Sequence, residues 1–186
     1  MTFSLPNLLS LLRMGLIPLF VIAVLRGEPI KALLVFAAAG LSDALDGFLA
    51  RILDQRSLLG AYLDPLADKL LLTTAFIVLT VQGPSSTGVE IPVWVTVLVI
   101  ARDVLVVVVA LALALAAGVR DFPPSALSKV NTVFQVAGVL LVLISGLDGR
   151  LNAVALGTLY ATATLTVLSG VGYILRANRM IAEVAG

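Results

Sequence analysis

Between Asp43 and Asp68 the chain reads DALDGFLARILDQRSLLGAYLDPLAD, which sets aspartates in paired helical register amid long apolar runs. Asp43 and Asp46 are spaced i, i+3, and Gly47, Ala50 and Arg51 continue the same helical face. Asp64 and Asp68 form an i, i+4 pair, with Gly60 one turn earlier. Two helices joined by the polar turn at residues 54–57 can bring the two carboxylate pairs face to face, a layout that suits an oxygen-seeking divalent cation. In a bilayer an ionised Asp at a helix centre costs about 2.5–3.5 kcal/mol on the insertion scale, so four of them must be neutralised. The basic residues close in sequence, Arg51, Arg56 and Lys69, are too few to pair each acid separately. Two divalent cations held by four carboxylates would suffice. The plainer reading, a solvated turn residue or half of an ion pair, fits Asp54 but not four acids at paired spacing.

Gly47 and Gly60 need their own reason, because Gly in a helix costs about 1 kcal/mol against Ala. Close helix packing in lipid is one. Their position on the carboxylate faces, with Ala50 also small, gives another: room for a flat group or a pyrophosphate to approach the helix backbone.

The elements that hold these residues are apolar. Of 186 residues, 60% are hydrophobic and 12% charged, and the mean hydropathy is +1.13, which places the chain outside the range of soluble domains. A net charge of +1 gives no reason to expect a nucleic-acid partner. The sequence has neither Cys nor His, so acid–base and metal chemistry fall to carboxylates. Six apolar spans are expected, each near the ~20 residues a bilayer requires: Leu8 to Leu25, Ile30 to Leu53, Leu59 to Val81, Ile91 to Ala117, Val130 to Ile144 and Asn152 to Leu175. The N-terminal segment is interrupted by Pro6, Arg13 and Pro18 without a small-residue cleavage site after it, and reads as a retained helix rather than a signal peptide.

The expected fold is an all-α integral membrane protein, one domain over residues 1–186, with six transmembrane helices around a polar, metal-binding cavity. Arg51, Arg56, Arg120, Lys129, Arg176 and Arg179 share one side with both termini, against Arg26, Lys31 and Arg150 on the other. The excess of Lys and Arg marks the first side as cytoplasmic, and the carboxylates and the cavity mouth go with it.

Two classes of function accommodate buried acids. A small cation transporter needs only the carboxylates. An enzyme acting on a nucleotide-linked lipid needs the glycines and Arg51 as well. A non-catalytic scaffold needs none of them and fits worst.

The run Asp43-x-x-Asp46-Gly47-x-x-Ala50-Arg51, then eight residues, then Gly60-x-x-x-Asp64-x-x-x-Asp68, resembles the CDP-alcohol phosphotransferase motif at every fixed position. The resemblance implies an enzyme that transfers a substituted phosphate from a CDP-linked donor to an alcohol and releases CMP. It implies that Asp43, Asp46, Asp64 and Asp68 hold two ions, usually Mg2+ with Mn2+ as the alternative, and that Asp68 is the general base. It further implies that Gly47, Ala50, Arg51 and Gly60 line the CDP-donor site, with Asn7 and Arg13 near its nucleotide end, and that the chain forms a homodimer in the membrane, the inner membrane in a bacterium.

The opening PNLLSLLRMGLIP is similar to both the phosphatidylglycerophosphate synthases and the cardiolipin synthases of this family. The second half, with Ala101-Arg102-Asp103-Val104 and Ser128-Lys129-Val130-Asn131-Thr132, looks more like the eukaryotic-type cardiolipin synthases, and Ala110 stands where the phosphatidylglycerophosphate synthases more often have a second Arg. An acceptor with a phosphomonoester dianion, such as glycerol 3-phosphate, wants several cationic donors. Arg102, Arg120 and Lys129, with Asn131, are the candidates for acceptor binding. One cation fewer suits phosphatidylglycerol, so the expected reaction is transfer from CDP-diacylglycerol to phosphatidylglycerol, with glycerol 3-phosphate as the alternative acceptor. Arg102-Asp103 also has a plain reading as a local ion pair, and Lys129 as an ordinary cytoplasmic-side charge.

Overall fold

A computed structural model describes the backbone of residues 5–52, 58–83, 88–117 and 125–185, and the side chains at 8, 10–42, 65–83, 88–112 and 125–179. The described residues are all-helical, in six α-helices: α1 (Leu5–Leu25), α2 (Pro29–Ile52), α3 (Leu58–Gln82), α4 (Val93–Ala117), α5 (Ala126–Ser145) and α6 (Asn152–Ala185). A short 3-10 turn, Gly149–Leu151, precedes α6.

The expected spans fall on these helices, and the differences at their ends have local causes. At α5 the Ser125 hydroxyl accepts from the Ser128 N–H at 3.0 Å, an N-cap that starts the helix at Ala126 rather than Val130. The apolar run ends near Leu175, but α6 continues to Ala185 through a segment rich in the good helix formers Ala, Arg, Met and Glu. Gly27 ends α1 at φ 66°, with Glu28 N–H bonded to Ala23 O at 3.0 Å, a terminus in which only glycine adopts the left-handed backbone without cost.

Among the described residues four helical stretches are long and apolar enough to cross a membrane: Pro65–Gln82, Val93–Ala112, Ala126–Ser145 and Gly149–Arg179. Ser10–Leu25 and Pro29–Ser42 are shorter apolar stretches. Large apolar side chains stand exposed along these helices, among them Val81, Val104, Val107, Val108, Leu111 and Val133, as lipid-facing surfaces require.

The helices cluster into two compact units, Met1–Ile91 with Val139–Ala155, and Pro92–Gly138 with Leu156–Gly186. In the first, α1 packs against both α2 and α3. Its buried face carries Ser10, Arg13, Phe20 and Ala23, and the Phe20 ring meets Phe36 of α2 at 5.7 Å between centroids. Ala32 and Ala39 on α2 and Ala67 and Ala75 on α3 are fully buried, and such small residues let helices approach closely where lipid supplies no hydrophobic drive. Gly88, at φ 67°, lies so near α5 that an added Cβ would stand 2.9 Å from Ser145 O.

In the second unit α5 and α6 face each other along a polar seam. Ser169, Thr166 and Thr162 on α6 are buried at one-turn intervals, as are Asn131 and Gln135 on α5. Gly138 continues the seam against Leu159 and Thr162.

Candidate active site

The α2 and α3 backbones carry the acidic motif as continuous helix: Asp43, Asp46, Gly47, Ala50 and Arg51 in the last turns of α2, Gly60, Asp64 and Asp68 in the first turns of α3. The side chains of all of these except Asp68 lie outside the described residues, as do those of Asn7 and Arg120. Asp68 is half-exposed and lies one turn after Pro65, a proline inside α3.

Asp68 meets a cation that sequence proximity does not reveal. Arg13 Nη1 on α1 donates to Asp68 Oδ1 at 3.2 Å, with the Arg13 side chain fully buried and that of Asp68 43% exposed. The charge count over Arg51, Arg56 and Lys69 therefore omits a partner delivered from 55 residues away. The signal is in the sequence, since an Arg in the middle of an apolar helix is costly unless a carboxylate meets it. Ser10, one turn before Arg13 on the same face of α1, is also fully buried.

The donor chemistry fits a hard divalent cation. A set of four carboxylates without His or Cys offers only oxygen, which hard divalent cations prefer. Asp68, the described member, presents a partly exposed carboxylate that already faces a cation.

In the second unit Arg102 is buried, and its two terminal nitrogens are engaged inside the protein. Nη1 donates to Asp103 Oδ1 at 2.9 Å, and Nη2 donates to the hydroxyls of Ser128 on α5 and Ser169 on α6, the latter at 2.7 Å. The ion pair read from the sequence is present, and it is one arm of a three-helix clamp. Gly170 lets the Arg102 stem lie against α6, 3.8 Å from where a Cβ would be. Lys129 is exposed. Asn131 is fully buried and accepts from the Thr166 hydroxyl at 3.1 Å. Asn131 Nδ2, Gln135 Nε2 and Arg102 Nε are buried donors with no hydrogen-bond acceptor among the described residues. Gln135 and Ser169 are additions to the candidates. Their signal was the one-turn spacing of polar residues in otherwise apolar helices.

The described residues are all-helical, with four stretches long and apolar enough to cross a membrane, and the paired aspartates fall on two successive helices. Residues 3–169 match the CDP-alcohol phosphatidyltransferase family, and the chain belongs to it. The chain is 35% identical to a probable phosphatidylglycerophosphate synthase of Mycobacterium tuberculosis, over 96% of this chain and 83% of the relative. It is 32% identical to the CMP-forming cardiolipin synthase of Rattus norvegicus, over 99% of this chain and 65% of the relative. It is 31% identical to a CDP-diacylglycerol–glycerol-3-phosphate 3-phosphatidyltransferase of Pectobacterium atrosepticum, over 98% of this chain and all (100%) of the relative. The cation-carrier alternative falls with this membership, because the family is one of transferases.

Proposed function

We propose that the protein transfers the phosphatidyl group of CDP-diacylglycerol to phosphatidylglycerol, forming cardiolipin and releasing CMP. The observation that carries the reaction class is the complete motif Asp43 to Asp68 inside the family match over residues 3–169. The acceptor hydroxyl oxygen attacks the phosphatidyl phosphorus, the P–O bond to CMP breaks, and the hydroxyl proton passes to the Asp68 carboxylate acting as general base. Asp43, Asp46, Asp64 and Asp68 would hold the two ions, Mg2+ or Mn2+. When bound, these ions offset the charge of the pyrophosphate and of the departing CMP. Gly47, Ala50, Arg51, Gly60 and Asn7 receive the CDP moiety. The reaction needs no covalent intermediate on the protein, in keeping with a chain that lacks Cys and His.

Arg102, Arg120, Lys129 and Asn131 receive the acceptor. Two features support a singly charged head group. Ala110 supplies no second Arg, and the terminal nitrogens of Arg102 are already shared among Asp103, Ser128 and Ser169, which leaves little for a dianion. The amide nitrogens of Asn131 and Gln135, short of acceptors, suit an oxygen-rich head group. Glycerol 3-phosphate is the second reading, favoured by the names of the Mycobacterium and Pectobacterium relatives.

The reading includes a single domain over residues 1–186 with six spans, a polar metal-binding cavity open to the cytoplasm, cytoplasmic termini and a homodimer. The positive-inside bias supports the orientation. The deciding experiment gives purified protein CDP-diacylglycerol with either phosphatidylglycerol or glycerol 3-phosphate and identifies the lipid made. Cardiolipin from the first alone is expected. Phosphatidylglycerophosphate from the second would reassign the acceptor, and no CMP release with either would refute the reaction.

A further inference from the structure

We infer that Arg13 is the positioning residue for Asp68, holding one carboxylate oxygen so that the group is presented to the acceptor hydroxyl in a single orientation. The inference rests on the reading of Asp68 as general base and adds a role for α1 in the chemical step. Arg13 is fully buried on α1, and its Nη1 donates to Asp68 Oδ1 at 3.2 Å, while the Asp68 side chain stays 43% exposed. The pair is asymmetric: the cation is enclosed, and the anion stays partly exposed.

An isolated carboxylate on a helix turns about its terminal bond with broad preference. A charge-assisted hydrogen bond from an immobile guanidinium removes that freedom. Arg13 itself is held on the α1 face that carries Ser10 and Phe20, both fully buried. Its contact with Asp68 Oδ1 gives it a route to the chemical step through the carboxylate rather than on substrate. Two competing roles make different predictions. A donor-binding Arg would govern the affinity for the nucleotide, and a purely structural ion pair would govern stability and metal retention together.

The test uses full-length protein in detergent micelles with CDP-diacylglycerol and the acceptor that supports turnover. For Arg13→Gln, kcat is expected to fall at least tenfold, with the KM for CDP-diacylglycerol and the affinity for CMP within threefold of the parent. Arg13→Lys, which keeps the charge, is expected to recover at least part of kcat. Mn2+ binding, read by electron paramagnetic resonance without substrate, is expected to be unchanged or tighter in Arg13→Gln, because removing a buried cation beside carboxylates makes their site more negative. Weaker Mn2+ binding together with lost kcat would assign Arg13 a structural role. A raised donor KM with kcat retained would make it a donor ligand. Either result overturns the inference, as does Arg13→Gln with unchanged kinetics. Should Arg13→Gln fail to fold, Arg13→Lys carries the test, and loss of stability without a kcat effect in that variant also overturns it. A parent protein without CMP release would instead refute the underlying function, which keeps the two failures apart.

Discussion

The Thr166 hydroxyl on α6 donates to the Asn131 side-chain oxygen on α5 at 3.1 Å, and both residues are buried. This contact is one rung of the polar seam between the two helices. One turn away along it, Thr162 Oγ1 reaches Phe134 O at 3.1 Å, while also lying 2.8 Å from Thr158 O of its own helix. Interhelical hydrogen bonds in membrane proteins average about 0.6 kcal/mol and reach about 1.7. Thr166→Val should therefore lower the thermal midpoint in detergent by a few degrees at most, with CMP release at moderate temperature preserved. A collapse of the fold would show the seam to be worth far more than a helix contact.

Arg102 should be much less forgiving. Removing one member of a buried ion pair costs about 3–5 kcal/mol because a charge is left behind. Arg102→Ala strips the guanidinium from Asp103, whose side chain is 13% exposed, and from Ser128 and Ser169. Strong destabilisation is expected in detergent unfolding. The double variant Arg102→Met with Asp103→Asn should be milder than Arg102→Ala, and equal losses would argue against the charge as the cause.

Gln135 separates packing from function. Its Nε2 is buried without an acceptor among the described residues, so Gln135→Leu removes an unsatisfied donor and should raise the thermal midpoint. If that donor serves the acceptor head group, the same change should raise the acceptor KM severalfold with donor KM unaltered. Steady-state kinetics against both substrates read this directly.

Asp68→Asn should reduce transfer by about 10²–10⁴-fold, the usual contribution of a positioned general base, while sparing much of the CMP binding. Asp43→Ala should weaken metal dependence and donor use together. Isothermal titration with CMP beside turnover distinguishes the two patterns, and equal loss of both in Asp68→Asn would make that residue chiefly a ligand.

Gly88→Ala should destabilise the first unit by more than 1 kcal/mol on the order of the left-handed backbone penalty alone. The added methyl would also meet Ser145 O at 2.9 Å. A lowered thermal midpoint with unchanged kcat is the expected outcome.

Helix positions were legible because apolar run length and Gly/Pro punctuation act locally, so that the end of α1 at Gly27 could be read directly. The helical placement of the acidic motif was legible for the same reason, its spacing being a property of one helix at a time. The Arg13–Asp68 pair and the Ser128–Arg102–Ser169 clamp were not. Each joins helices distant in the chain, and sequence alone does not fix which faces of α1 and α3, or of α4, α5 and α6, meet. Arg102–Asp103 could be anticipated only as a local pair. Its extension to two further helices depends on how those helices pack.

The buried guanidinium of α1 has a consequence for biogenesis. During synthesis α1 emerges well before α3, and an Arg at the centre of an inserting helix costs about 2.5–3.5 kcal/mol when it faces lipid alone. Arg13 has to wait for a partner 55 residues downstream. On the six-span reading the first helix is thus a weak membrane anchor until the third arrives, and its secure placement is an event of bundle assembly.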